Sequence, residues 1–375
     1  MRDQFVFLQN FLKMAFWLGP LSSDEKRPGG FKRKELVIPL KNRSIKAWLY
    51  TPNGKIQGVF LMAPGFHFLG PADERFVRFN SILASSGFML LCPFIEDYLD
   101  MRVLPRTEND FRACFDALES LPERPCSMKP GVFSISFGSL LAVRLAGHQN
   151  YKDRVGGLSI FGGYANWDET LRYFLSGDAD GEFVQNRDPL CRPAVFLNLL
   201  DCIEPKPEDP EGLREAWVEY IKKTWPDPLY LEDDRYKECA REMSKSLEES
   251  KRDLFLKGCL PGSDGLDIAL NALDKMKEKW GYLDPLVYAK DIHCPVTIIH
   301  GKDDGVIPVN QVERFKQALG HNKNVTTCIT GLFSHSQNEG QENLVSKVTI
   351  LGKELIMMIR ILKSFFLMGG SKGES

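Results

Sequence analysis

The sequence has no C-x-x-C pair, no excess of charge of one sign, no uninterrupted apolar run of membrane-spanning length and no internal repeat. Each absence removes a class of protein. Nine cysteines, an odd number scattered along the chain, give neither the paired frame of a small secreted domain nor the ligand spacing of a zinc site. They read as reduced thiols of a cytoplasmic protein, filling core and surface positions. A formal net charge of −2 with the two signs mixed leaves no basic face for nucleic acid. The expected partner is a small molecule. Low-complexity sequence is confined to residues 369–375, expected as a disordered tail. What is present, 375 residues of which 43% are hydrophobic, is enough for one sizeable α/β unit plus an elaboration.

The N-terminal stretch Phe5 to Leu18 is apolar and aromatic, but Asp3 stands where a signal peptide needs a basic region, and Gln9, Asn10 and Lys13 interrupt the apolar run. An amphipathic helix fits better. Phe5, Leu8, Phe11, Leu12, Ala15 and Phe16 recur at spacings near three and four, on one broad face. Packing against the body, shallow membrane contact and homodimer contact are all open to such a face. Pro28-Gly29-Gly30 ends this arm, residues 1–30.

Strand character begins at Glu35. Leu36 to Leu40 and Ile45 to Tyr50 read as an antiparallel pair, and Gly58 to Met62 as a strand buried on both faces. It ends in Ala63-Pro64-Gly65-Phe66-His67. Helices from about Ala72 to Ser86 and Glu108 to Leu121, with strands at Phe88 to Cys92, Val132 to Ser134 and Gly156 to Phe161, continue in βαβ alternation. That pattern predicts a parallel sheet with helices on both faces, and ligands at the carboxyl ends of its strands. The alternation stops over residues 166–282, which read as an inserted set of helices, among them Leu213 to Trp225, Leu231 to Leu256 and Leu266 to Trp280. Strands resume at Pro295 to Ile299 and Val325 to Ile329, on either side of a helix from about Val309 to Leu319. The core is therefore expected in residues 31–165 and 283–368.

Three stretches at strand ends carry candidate chemistry. Ser134-Ile135-Ser136-Phe137-Gly138 lies between a strand and a helix, where a sharp turn presents Ser136 at a helix N-terminus and Gly138 leaves the bend uncrowded. Ser134 stands where such turns usually have glycine. His300 to Pro308 offers Asp303 and Asp304 at a late strand mouth, either of which can orient an imidazole or simply cap its loop. Among six histidines, His148, His293 and His321 lie at element ends and are expected to be exposed. His67 is placed to touch substrate and His300 to make a structural hydrogen bond. His335, just beyond the last strand, is left as the base.

Serine, aspartate and histidine in that chain order, each after a strand, resemble the α/β-hydrolase superfamily over about Glu35 to Phe366, with the helical insertion where that family carries its cap. The resemblance implies an α/β-hydrolase fold: a mostly parallel central sheet, helices on both faces and an inserted helical cap. It implies Ser136 as nucleophile, Asp304 as acid and His335 as base, with the backbone N–H groups of Phe66 and Phe137 as oxyanion hole. Ala63-Pro64 departs from the His-Gly common in that loop. Hydrolysis of a carboxylic ester of moderate size through an acyl-serine intermediate is the expected function, needing no metal or organic cofactor. Cleavage of an amide, thioester or carbon–carbon bond is the alternative within the fold. A catalytically idle protein binding a lipid or partner through the N-terminal arm is the alternative outside enzymes. If the insertion forms a lid over the strand mouths, specificity resides there; if it packs on the far side, it serves stability or oligomerisation.

Overall fold

The computed structural model describes residues 2–18, 26–179, 182–183, 188–331 and 359–368. Eight strands form one sheet in the order β1-β2-β4-β3-β5-β6-β9-β10. They are β1 (Phe31–Pro39), β2 (Ser44–Pro52), β3 (Gly58–Ala63), β4 (Phe88–Pro93), β5 (Gly131–Ile135), β6 (Gly157–Phe161), β9 (Val296–Gly301) and β10 (Val325–Thr330). β2 is antiparallel to both β1 and β4, and every other pairing is parallel. The opening strand starts at Phe31, earlier than its apolar run suggested, because Lys32 to Glu35 belong to an exposed edge.

Period-two alternation sorts the central strands between two cores. Val59, Leu61, Ala63, Met89, Leu91 and Val132 pack into the larger one, while Phe60, Met62, Phe88, Leu90, Cys92 and Phe133 pack into the other. Strands buried on both faces need helices on both sides. The first core meets α4 (Arg106–Glu119) and α5 (Ser139–Gly147), with the short α3 (Glu96–Leu99) beside it. The second meets α1 (Arg2–Leu18), α2 (Glu74–Ser85) and a C-terminal helix, residues 359–368. Asp73 fixes the start of α2 by accepting from the amides of Arg75 (2.9 Å) and Phe76 (3.4 Å).

α1 divides the face expected of it. Met14 is buried and Phe11, Ala15 and Leu18 pack beside it, but Leu8, Leu12 and Phe16 are 51%, 58% and 51% exposed. The helix is turned this way by polar ties on the Lys13 side: its ammonium donates to Ser85 O (2.8 Å), and Arg78 donates to Trp17 O (3.0 Å). No helix among the described residues is long and apolar enough to cross a membrane.

Between β6 and β9 lie α6 (Trp167–Ser176), a two-stranded ladder of β7 (Asp178–Ala179) with β8 (Glu182–Phe183), α7 (Arg192–Leu199), α8 (Pro210–Thr224), α9 (Leu229–Glu232), α10 (Arg235–Lys245), α11 (Glu249–Cys259) and α12 (Ser263–Met276). The ladder interrupts a segment expected to be helical throughout. The expected helix from Leu231 to Leu256 is also broken, first at Asp234, which has a left-handed φ of +57°. It breaks again where Ser244 and Ser246 bond back to the carbonyls of Arg241 (2.8 Å) and Met243 (2.7 Å). Short hydroxyl side chains offer the backbone an alternative to continuing the helix. α13 (Gln311–Ala318) completes the described helices between β9 and β10.

Candidate active site

The sheet order selects a place for a site. From β3 the chain crosses to β4 on one side, and β5 lies on the other, so the crevice between the carboxyl ends of β3 and β5 is a switch point of the topology. The loops beyond these two strands are Pro64 to Phe66 and Ser136 to Gly138. Register aligns them, with Ala63 opposite Ser134, while Ile135 and Phe161 align β5 with β6, and Phe161 and Ile299 align β6 with β9. The Asp304 loop consequently opens at the same edge.

Ser136 has φ of +50°, a left-handed backbone that an L residue with a side chain adopts only at a cost of order 1–3 kcal/mol. The turn is held by close packing from behind. A Cβ on Gly138 would lie 2.5 Å from Pro64 O and 2.6 Å from Ala63 O, so only glycine lets the two loops approach this closely. Ser134, at the other end of the motif, is buried and donates to Ser159 O on β6 (3.2 Å), which satisfies its hydroxyl. Ser136 itself is half-buried.

Phe66, Ser136 and Phe137 line one cavity. The Phe66 and Phe137 rings lie 5.7 Å apart, and Tyr98 braces both: its ring is 5.4 Å from that of Phe66, and its hydroxyl donates to Phe137 O (3.4 Å). Tyr164 closes the far side of Phe137 at 4.7 Å between rings. Both phenols are pushed up by burial and remain neutral. The amide of Phe137 lies in the first turn after β5, where a helical N–H has no acceptor within its own helix.

Asp303 and Asp304 differ in setting: Asp303 is exposed and Asp304 half-buried. Asp304 Oδ1 accepts from the amides of Val306 (2.8 Å) and Ile307 (2.9 Å), so the carboxylate does cap its loop. Oδ2 lies 3.7 Å from His300 Nε2, beyond hydrogen-bond reach. It is also 3.5 Å from where a Cβ on Gly162, at the end of β6, would sit. Fully buried, His300 donates from Nε2 to Ile307 O (2.9 Å), the structural bond expected of it. His335 lies outside the described residues.

His67 is near the cavity wall, its ring stacked 4.5 Å from that of Phe68 and tilted at 5.6 Å from that of Trp225. Burial lowers its pKa, against a partial opposing pull from Asp73, whose Oδ2 is 3.5 Å from Nε2. His293 and His321 are exposed as expected, whereas His148 is half-buried.

The rest of the wall comes from the segment between β6 and β9. Leu171 and Phe174 of α6, Val195 and Asn198 of α7, and Trp225 beyond α8 face the same space as Ser136. Sequence reading assigned none of them to a site, because apolar residues at helical spacing look the same whether they meet a core or a cavity. Asn198 ties this roof to the loop beneath. It donates from Nδ2 to Met101 O (3.0 Å) and accepts at Oδ1 from Val103 N (3.1 Å), and Met101 has φ of +54°. Tyr282 adds a bond to Val103 O (3.0 Å). All nine cysteines are free thiols. One of them, Cys191, lines the cavity rather than filling core or surface. Among the described residues no group of three or more His, Cys, Asp or Glu side chains is placed to hold a metal.

No family model matches the sequence, and no curated protein matches it either. Solved structures do resemble it. An acylaminoacyl peptidase bound to a chloromethyl ketone superposes with a TM-score of 0.50 at 15% identity, covering 92% of this chain and 43% of that one, so this chain spans less than half of that protein. An esterase of Pyrococcus furiosus gives 0.48 at 15% identity, over 92% of this chain and 97% of that one. A dipeptidyl peptidase 4 of Porphyromonas gingivalis gives 0.47 at 12%, over 90% and 36%. Together with the strand order, the likeness to the acylaminoacyl peptidase establishes the architecture: this chain has the α/β-hydrolase fold.

Proposed function

We propose that the protein hydrolyses carboxylic esters through an acyl-enzyme formed on Ser136. The observation that carries this reading is the left-handed serine at the β3/β5 crevice, facing a cavity bounded by Phe66 and the helical roof. In the proposed cycle His335 takes the Ser136 proton as Oγ attacks the acyl carbon. The amides of Phe66 and Phe137 receive the negative charge on the carbonyl oxygen. His335 then gives the proton to the departing alkoxide, and water repeats the sequence against the acyl-serine. Asp304 orients the imidazole. Its Oδ1 is committed to the amides of Val306 and Ile307, which leaves Oδ2 for the imidazole N–H.

Esters are favoured over peptides because the described wall is chiefly hydrocarbon, with few groups to pair with a peptide backbone. Ser136→Ala should lower turnover of p-nitrophenyl esters by about 10⁴ to 10⁶ while leaving the fold intact. A serine-directed phosphonate should label the wild type at Ser136. Labelling at another serine, or full activity in the variant, would overturn the assignment.

A further inference from the structure

The wall above Ser136 restricts the acyl part of a substrate. None of the described residues lining the cavity is ionised in its ordinary state. Its polar side chains other than Ser136 are also poorly suited to pair with a charge. Asn198 is committed to Val103 N, Met101 O and, at 2.8 Å, Ala194 O. Burial pushes the Cys191 thiol well up, with Asp188 and Asp304 adding to the effect, so it stays neutral. Trp225 donates its indole N–H to Leu190 O (2.9 Å), and Trp280 brings a single neutral N–H donor with no counter-charge for a carboxylate and no acceptor for an ammonium.

Away from the Asp304 carboxylate, an acyl chain ending in a carboxylate would find no cation among the described residues lining this cavity, and one bearing an ammonium would find no anion there. Burying either charge unpaired is costly, whereas each methylene entering the cavity is favourable. We propose, resting on the ester-hydrolase reading above, that the acyl part of the substrate is an unfunctionalised hydrocarbon chain. Acyl groups with a terminal charge are rejected by the wall itself, before any chemistry at Ser136.

The test compares p-nitrophenyl acetate, butyrate, hexanoate and octanoate with mono-p-nitrophenyl suberate, which matches octanoate in length but ends in a carboxylate. With the full chain, kcat/KM should rise about fourfold per methylene until the wall is reached. The suberate should fall at least about 100-fold below the octanoate. Equal turnover of these two esters overturns the proposal. If the hydrolase reading itself fails, no ester is turned over, so binding is measured separately. The Ser136→Ala chain is titrated with methyl octanoate and with monomethyl suberate while tryptophan fluorescence is followed. Quenching by the octanoate alone supports the hydrocarbon site even without turnover. Quenching by both alike, or by neither, overturns it.

Discussion

The floor and the roof of the cavity are built on different principles. The floor, Pro64 to Phe66 with Ser136 to Gly138, is fixed by backbone: a left-handed serine and a glycine against two carbonyls. The roof, α6, α7 and the residues near Trp225, is side-chain packing tied down at Asn198. Backbone constraint fixes one arrangement and tolerates little change, while packing of hydrocarbon against hydrocarbon tolerates exchange at similar volume. Substitutions in the two regions should therefore fail differently.

The largest effect after loss of Ser136 should come from the carboxylates. Asp304→Asn should lower kcat by about 10⁴, by analogy with the serine-histidine-aspartate template, and Asp303→Asn by far less. Steady-state kinetics of the two variants decides, and the opposite ranking assigns the acid to Asp303. Gly138→Ala comes next. Its Cβ would press on Pro64 O and Ala63 O, which belong to backbone and cannot rotate away, so kcat/KM should fall about 100-fold for short and long esters alike.

A change in the roof should behave otherwise. Asn198→Ala leaves Val103 N and Met101 O without these partners, at a stability cost of about 1–3 kcal/mol. The ratio of octanoate to acetate turnover should drop severalfold while phosphonate labelling of Ser136 continues at near its original rate. If both fall together, floor and roof are not separable.

The smallest effect should lie at His67, between the two regions. Burial lowers its folded-state pKa, so on acidification below about 6.5 the unfolded chain takes up the proton first, and stability is lost as pH falls through that window. Urea midpoints at pH 7 and pH 5 should therefore converge in His67→Gln relative to the wild type.

The same division explains what the sequence made legible. Ser136 and Gly138 announce a turn, since few residue patterns satisfy a strand-to-helix bend with close backbone contact, and βαβ alternation places that turn at a strand mouth. Spacing alone leaves Asp303 and Asp304 equivalent, and only the family resemblance favours Asp304; their exposures differ, Asp303 exposed and Asp304 half-buried. The roof left no signal: Trp225, Leu171 and Phe174 fit helix periodicity, and nothing in spacing distinguishes a side chain facing a cavity from one facing a core. Tyr98 was likewise invisible, because its contacts with Phe66 and Phe137 join segments far apart in the chain. On α1 the helix follows from the spacing, but the rotation set by Lys13 and Arg78 exposes Leu8, Leu12 and Phe16, which composition does not predict.

Neighbouring strands β6 and β9 pair directly, from Leu158 opposite Val296 to Phe161 opposite Ile299, although every roof helix is threaded between them. The entropy of closing a flexible connection grows only with the logarithm of its length, about 0.6 kcal/mol per doubling. Lengthening or shortening the intervening chain therefore changes the free energy of zipping these strands very little. The roof can gain or lose residues by insertion or deletion, and the volume above Ser136 can change with it, without compensating changes in the sheet beneath.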